Sequence, residues 1–525
     1  MSAEVPRGAP EHIFAKKIVD ISIVGAGPVG ILLSIMLARR GYRVSLFEGR
    51  PDPRLNPVPG GRSINLTLAE RAWVALRAAG VEQQMRRICL PLQGRVIHGD
   101  NSAVRFQPYT AKGDAIYSAS RTEVNTLLLD EADKYSNILK YFGHRCADVD
   151  PDRRVLIISS PDGRHHELTP QVVFAADGAY STVRRSLLRK PDFSYFQSLS
   201  PIFYRELRVP SRPSGGHPFR PDALHLWPRG ECMIVGFPNS DKTFTLSIFM
   251  PSHGQLSFAS LSDRQALDAF LQGCCPDIAA ALPFPAREFF SGPPASLVSS
   301  GCSPWVHNHW LCLIGDAAHT LVPFLGQGLN AGFEDCKTLL DVVVELGDEN
   351  WPDILETFAR RRTPDCDAVI QLAERHFEEL ARAARDPRYT VRKALEEKLH
   401  QLAPERFTSV YSMVAFETRP YSMIQRLQLQ QEAILDSLMR RPEVEDSLDS
   451  PQLHELLLAE LNSANESPEY STSVVQRLQL QQEVILASLM QQPDVDESLA
   501  SPQLHELLLP ELVPTAEPLE PSVES

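Results

Sequence analysis

The first clear hydrophobic pattern is the apolar run from Ile18 to Ala38, which is broken at one place. Asp20 and the run Gly25-Ala26-Gly27-Pro28-Val29-Gly30 interrupt it, the latter where a buried strand would turn into a helix. A secretory signal or a membrane span is apolar without such a turn, and no cleavage site follows. Residues 17 to 48 therefore read as strand, glycine turn, helix and second strand, the opening βαβ unit of a dinucleotide-binding domain. Alternation then dominates. Leu224 to Trp227, Glu231 to Phe237 and Thr243 to Met250 read as antiparallel strands, the last two joined by Asn239-Ser240-Asp241. From about Gly328 the helical period takes over through Leu380, and the body is expected to end near residue 420.

Beyond that point the chain repeats itself. QRLQLQQE beginning at Gln425 recurs at Gln476, and SPQLHELLL beginning at Ser450 recurs at Ser501, both offset by 51 residues. Each copy holds an amphipathic helix, in the first copy Ile424, Leu427, Gln431, Ile434 and Leu438, and then a second helix with Ser450 as its cap and Pro451 at its first position. Two copies fall short of the roughly three repeats that a stacked solenoid needs, and the end is rich in Pro and Glu. A partly disordered tail with transient helices is expected over 421–525, the alternative being a docking module for a protein partner.

Composition narrows the class. A chain of 525 residues exceeds what one core usually organises, and 43% hydrophobic with 22% charged residues is the balance of a globular protein. No other stretch approaches the roughly 18 uninterrupted apolar residues of a membrane span. A net charge of −14 disfavours nucleic acid as a partner. The nine cysteines, without a CxxC pair, point to reduced thiols facing a cytosol.

Candidate chemistry starts at the glycine turn. Gly25, Gly27 and Gly30 suit a tight turn, close approach to a pyrophosphate and close helix packing, with the helix N-terminus facing the phosphates. Glu48, at the end of the next strand, suits a ribose diol and repels a 2′-phosphate, so the tightly held dinucleotide is FAD or NAD. Two further motifs follow apolar strands: Asp177-Gly178-Ala179-Tyr180-Ser181-Thr182-Val183-Arg184 and Leu313-Ile314-Gly315-Asp316-Ala317-Ala318-His319. Gly326, Gly328 and Asn330 then open a helix whose positive end can stabilise negative charge on a reduced flavin. No second glycine turn exists for NADPH, which must dock transiently on the same domain. His319 is expected to be structural.

The two later motifs resemble the DG and GD motifs of single-component flavoprotein hydroxylases. With Gly61-Arg62-Ser63-Ile64-Asn65-Leu66, the run from Val322 to Cys336, Leu224 to Arg229 and Tyr411 to Phe416, the chain from about 18 to 420 is similar to the kynurenine 3-monooxygenase family. A flavin halogenase is disfavoured because its WxWxIP segment is absent. The resemblance implies an α/β fold: an FAD-binding Rossmann-like domain (17–190 and 296–345, with 62–120 contributing to the substrate region), a mixed antiparallel substrate sheet (191–295), C-terminal helices (346–420) and the tail (421–525). It implies FAD as cofactor, contacted by Gly25, Gly27, Val29, Gly30, Glu48, Arg50, Arg62, Arg121, Asp177, Thr182, Asp316, Gly328, Leu329 and Asn330. Pro323, Phe324 and Gln327 are the implied catalytic residues, packed beside the flavin, and no metal is required. Arg95, Tyr109, Glu378 and Tyr411 are the implied substrate contacts.

The activity implied is hydroxylation of L-kynurenine with NADPH and O2 through a flavin C4a-hydroperoxide. Another aryl-amine acid, or a non-catalytic flavoprotein with a partner-recruiting tail, remain alternatives. The family implies the cytosolic face of the mitochondrial outer membrane, but the hydrophobic C-terminal anchor of its mammalian members is replaced here by an acidic repeat. One further departure lies in Arg375-His376-Phe377-Glu378-Glu379, where the family has Asn at the first position and Met at the last. Arg375 is expected to pair with Glu378 or Glu379 at helical spacing, the alternative being a more acidic substrate.

Overall fold

Ile21–Val24 is buried at every residue, as a strand must be when helices cover both faces of its sheet. It lies between Val172–Ala175 and Val44–Glu48 and runs parallel to both. The sheet continues through Leu311–Leu313 to Val306–His307 on one side and to Ile138–Phe142 on the other, giving six strands. Register does the functional work: Val24 pairs with Ala175, and Ala175 with Leu313. The glycine turn, Asp177 and Gly315-Asp316 therefore leave the sheet side by side, at the carboxyl ends of the strands, where open α/β sheets bind ligands. This computed structural model describes residues 21–466, apart from 56–64, 100–102, 111–112, 283–288, 291, 348–349, 384–387, 442–443 and 445–450.

A second sheet has eight strands in the order His319–Thr320, Ala295–Ser303, Ser194–Val209, Phe244–Pro251, Cys232–Pro238, Ala223–Arg229, Gly94–His98 and Val104–Pro108. All its neighbours are antiparallel except Ala223–Arg229 with Gly94–His98, a pairing that sets Leu224 beside Arg95. The three middle strands read from alternation are present within a residue or two of their expected limits. Two three-stranded sheets complete the β structure, one of them holding Asn65–Leu68. None of the nine cysteines is in a disulfide.

One buried carboxylate joins the motifs to the helices. Asp335, on the helix Gly328–Leu346, is 0% exposed and accepts from Gly315 N at 3.1 Å, His319 Nε2 at 2.7 Å and Arg362 Nε at 2.8 Å. Burial pushes its pKa up, but the charges of His319 and Arg362 outweigh that and hold it at about 2. Arg362 comes from the helix Trp351–Ala383 and also reaches Glu334 at 3.0 Å. Glu334 takes Arg71, from the helix Glu70–Ala79, at 2.6 Å. Arg71 in turn donates to the Arg419 carbonyl and lies 3.8 Å over the ring of Tyr421. Tyr421 closes the path by donating to Gln327 Oε1 at 2.8 Å.

The expected start of a tail at 421 does not coincide with the edge of the packed chain. Tyr421–Met439 is a helix whose Tyr421, Ile424, Leu429 and Leu438 are all 0% exposed. Its apolar face is amphipathic in sequence because it packs onto the helix Trp351–Ala383. The helix Pro451–Glu466 buries Leu453, Leu457 and Leu461. Its expected cap Ser450 and the second repeat copy from 476 lie outside the described residues. Residues Met1–Leu461 form one compact unit and Asn462–Ser525 another. Among the described residues no helix is long and apolar enough to cross a membrane.

Two outcomes follow from this packing. Asp335→Asn leaves the buried Arg362 with only Glu334 and Asp365, and should cost about 3 kcal/mol in chemical denaturation, while Arg361→Ala in the exposed Glu345 pair leaves the midpoint in place. Because the folded pKa of Asp335 lies below the ordinary value of about 3.9, its contribution is present above that pH and is lost between roughly pH 4 and 2, a loss the Asn variant lacks. A chain ending at 420 should aggregate or unfold at lower denaturant, since it uncovers the seat of Ile424 and Leu429; an unchanged midpoint would place that helix outside the cooperative fold.

Candidate functional site

The glycine turn is shaped by its own backbone. Gly25 has φ of +103°, and a Cβ on it would lie 2.4 Å from the Ala176 carbonyl oxygen. A Cβ on Gly30 would lie 2.0 Å from the Gly25 oxygen, so helix and strand meet only without one. At Gly27 a Cβ would meet nothing within 4 Å, and the helix Pro28–Arg39 has no side-chain cap and no acidic residue in its first turn. Its first N–H groups and positive end thus face open space, which suits a pyrophosphate. Val29 wedges between Gly315 and Gly332, fixing the turn to the GD loop.

Glu48 is engaged on both oxygens, by Ala26 N at 3.0 Å and by Arg50 through its backbone at 2.9 Å and its Nε at 2.8 Å. Burial opposes its ionisation, but Arg50 and these N–H groups prevail and lower its pKa. The Arg50 side chain is 71% exposed, so it can yield to a ribose diol. The helix Thr182–Leu187 contrasts with Pro28–Arg39. Asp177 Oδ2 accepts from Thr182 N at 2.7 Å and Val183 N at 3.2 Å, and Ser181 caps Arg184 N, so this N-terminus is satisfied internally. What remains there is Asp177 Oδ1, buried and without a partner. Such an atom calls for a donor such as a ligand hydroxyl.

In the GD loop, Asp316 is half-buried in the turn Gly315–Ala317 and makes no side-chain hydrogen bond among the described residues. Burial raises its pKa, against the opposing charges of His319 and Arg121. Pro323 is exposed, and Phe324 packs 5.3 Å from Phe249. Gly328, with open space at its Cβ position, starts an uncapped helix, and Leu329 packs on the core beneath it. Asn330 is wholly buried: Oδ1 accepts from Ala69 N at 2.7 Å, and Nδ2 donates to Thr67 O at 2.9 Å and Gly326 O at 2.7 Å. It buckles the turn in place. Gln327, expected as a catalytic group, is 3% exposed and bonded to Tyr421 and to the Leu325 carbonyl, so its side chain fixes the turn. The open glycine cradles, the uncapped helix ends and the orphaned Asp177 oxygen fit FAD. Arg62 lies outside the described residues.

Arg95, Tyr109 and Tyr411, three of the expected substrate contacts, come together beside that turn. The Arg95 guanidinium lies 3.9 Å over the ring of Tyr411 and 5.4 Å from that of Tyr109, and these two rings stack at 5.4 Å. Arg95 Nε and the Tyr109 hydroxyl are buried without hydrogen-bond partners. Arg95 has no carboxylate partner among the described residues, although a buried cation needs one. A carboxylate-bearing ligand supplies what is missing. Tyr411 also packs against the cluster containing Val322, Phe324 and Leu325, so clamp and turn share a wall. The side chain of Glu378 lies outside those described. Arg375 pairs with Glu432 at 3.4 Å, a partner on a different helix that spacing within one helix does not reveal.

Sequence reasoning passed over Arg184, Asp335, Arg362 and Arg71. Arg184 donates to Ala317 O at 2.8 Å and to Ala179 O at 2.5 Å, tying the DG motif to the GD loop. Its place in the DG octet was the available signal; the partners of Asp335 and Arg71 are distant in sequence and gave none.

A family model described as FAD binding domain matches residues 18–203 and 286–373. The chain is 36% identical to kynurenine 3-monooxygenase of Christiangramia forsetii over 84% of its own length and 98% of that protein. It is 39% identical to the Myxococcus xanthus enzyme of that name (80% and 89% covered) and 36% to that of Sus scrofa (80% and 88%). Two solved structures share the fold: Pseudomonas aeruginosa PqsL in complex with 2-aminobenzoylacetate (TM-score 0.57, 21% identity, 71% and 98% covered), and 2-methyl-3-hydroxypyridine-5-carboxylic acid oxygenase (TM-score 0.58, 19%, 71% and 94%). With an FAD-binding domain matched in both its segments and identity above a third sustained along nearly the whole of these relatives, the chain belongs to the kynurenine 3-monooxygenase family and is an FAD-dependent aromatic monooxygenase.

Proposed function

We propose that the chain converts L-kynurenine to 3-hydroxy-L-kynurenine, with NADPH and O2 as co-substrates. The observation that carries this reading is Arg95: a cation with a buried, unpartnered Nε, set against two stacked tyrosine rings and with no carboxylate partner among the described residues. The kynurenine side chain ends in such a carboxylate, and its aryl ring then extends along the wall shared by Tyr411 and Phe324. When bound, FAD supplies the route by which electrons from NADPH activate O2 for transfer to the ring.

The protein's own residues bind and position. Glu48, Gly27 and the uncapped helix Pro28–Arg39 hold the dinucleotide, and Asp177 Oδ1 and Asp316 offer acceptors for its hydroxyls. The uncapped N-terminus of Gly328–Leu346 would stabilise negative charge on the reduced flavin. Asn330 and Gln327 keep that turn rigid, which matters because positioning supplies much of the rate in a reaction whose ring carbon is already activated by its ortho amine. Phe249, Phe324 and Tyr411 keep water away from the reacting face. The family includes bacterial members, so membership does not itself assign the chain to a mitochondrial membrane.

The deciding experiment is kynurenine-dependent NADPH oxidation with mass analysis of the product over a panel of aryl-amine acids. 3-Hydroxykynurenine formed with a KM below that of the other acids is the expected result; turnover of another acid alone would move the substrate, and a flavin spectrum without oxygen uptake would remove the activity. Arg95→Met should raise the KM for kynurenine about 100-fold, the loss expected for a charge-assisted pair of hydrogen bonds, while FAD content stays at the parent level.

A further inference from the structure

Gln327 immediately precedes the uncapped helix Gly328–Leu346, and a hydrogen bond from a distant helix decides how its amide stands. The Leu325 carbonyl can only accept, so the amide must turn Nε2 towards it, at 3.3 Å. Oε1 then faces Tyr421, whose hydroxyl must donate, at 2.8 Å. Tyr421 is 0% exposed, and burial raises the pKa of its hydroxyl far above the usual range, so it keeps its proton. Its ring is held in place by the Arg71 guanidinium, 3.8 Å over its face, and by the apolar cluster that includes Val322 and Leu325. The neighbouring Gly326 carbonyl is held separately, by Thr67 Oγ1 at 3.1 Å and Asn330 Nδ2 at 2.7 Å. Among the described residues, Tyr421 is the one side chain from outside the turn that bonds to the Gln327 side chain.

The duplicated segment separates this bond from packing alone. Leu427, Leu429, Ile434, Leu435 and Leu438 of the first copy recur at the 51-residue offset as Leu478, Leu480, Ile485, Leu486 and Leu489. Tyr421 does not recur, for Thr472 stands at that offset. An amphipathic face needs no phenol there, whereas a bond to Gln327 does. We propose that Tyr421 is a positioning residue for the hydroxylation, acting through Gln327 to hold the flavin turn so that oxygen reaches the substrate ring and is not lost as peroxide. This rests on the NADPH- and O2-dependent reaction proposed above. In coupled turnover, NADPH, a proton, O2 and the aromatic substrate give NADP+, water and the hydroxylated product, with two electrons from NADPH and two from the substrate. When transfer to the ring fails, NADPH, a proton and O2 give NADP+ and H2O2, and the substrate is unchanged. Without the Tyr421 hydroxyl, Gln327 Oε1 is a buried acceptor with no donor, and the amide relieves this only by moving the turn. Small displacements at a reacting centre are costly in rate.

The test is Tyr421→Phe in the FAD-loaded enzyme, which deletes one oxygen and keeps the ring under Arg71. NADPH consumed, hydroxylated product and H2O2 are counted in one reaction, with L-kynurenine or whichever aryl-amine acid the parent turns over. Product per NADPH should fall about threefold or more in the variant, with H2O2 making up the difference. The Kd of the substrate, read from flavin absorbance, should stay within about twofold of the parent. Unfolded chains oxidise no NADPH, so this ratio does not respond to a loss of stability. Gln327→Leu should show the same fall, and the double variant no further fall, because both substitutions break one bond. An unchanged ratio in Tyr421→Phe overturns the assignment. So do additive losses in the double variant, or a fall that comes with substrate binding weakened about tenfold or more. A parent that oxidises no NADPH with any of these acids removes the hydroxylation reading itself, whereas a parent that hydroxylates with Tyr421→Phe fully coupled removes only the role of Tyr421.

Discussion

Asp335 is a carboxylate with no exposure, and its position determines where the cofactor loop, its helix and the next helix stand. An ion this deep is tolerated only when fully paired, because the desolvation cost must be met by the charges and N–H groups around it. Gly315 N, His319 and Arg362 do so from three other elements. None of the three can move without stranding a charge. The loop that bears Asp316 is thereby held against the helix Gly328–Leu346.

The network extends to the far side of the same helix. Glu334, one residue earlier, collects Arg362 and Arg71, and Arg71 stacks on Tyr421, whose hydroxyl holds Gln327. The turn from Pro323 to Asn330 is thus clamped from both ends, by Asn330 at the strand Asn65–Leu68 and by Gln327 at the helix Tyr421–Met439. Rigid backbone at this turn suits chemistry in which geometry, rather than an acid or base, is the protein's main contribution. Part of the duplicated segment is thereby built into the body: the helix anchored by Tyr421 lies beside the turn that holds Gln327.

The substrate side is held differently. Arg95 comes from a strand of the eight-stranded sheet, Tyr411 from the helix Val410–Phe416, and Tyr109 from the loop after Val104–Pro108. Among the described residues, aromatic faces rather than carboxylates lie against the guanidinium. The helices Trp351–Ala383 and Tyr421–Met439 pack beside Tyr411.

The sequence by itself determined the local pieces. Gly25 and Gly30 announce a turn that no other residue can make, the burial of Ile21–Val24 is written as a continuous apolar run, and the middle strands are legible in their alternation. These features are short-range, set by sterics and period. Motif order together with family likeness also singled out Asp177, Asp316 and Arg95 as candidates. What only the tertiary structure decided is partnership across distance. Asp335 and Arg71 look like ordinary helix charges until folding removes them from water, and Gln327 looks available until Tyr421 claims it. Arg375 finds Glu432 on another helix, and the segment from 421 looks like a tail until its apolar face meets the helix Trp351–Ala383. Periodicity states that a face must be buried, but which surface buries it depends on how distant elements pack, and no local pattern encodes that.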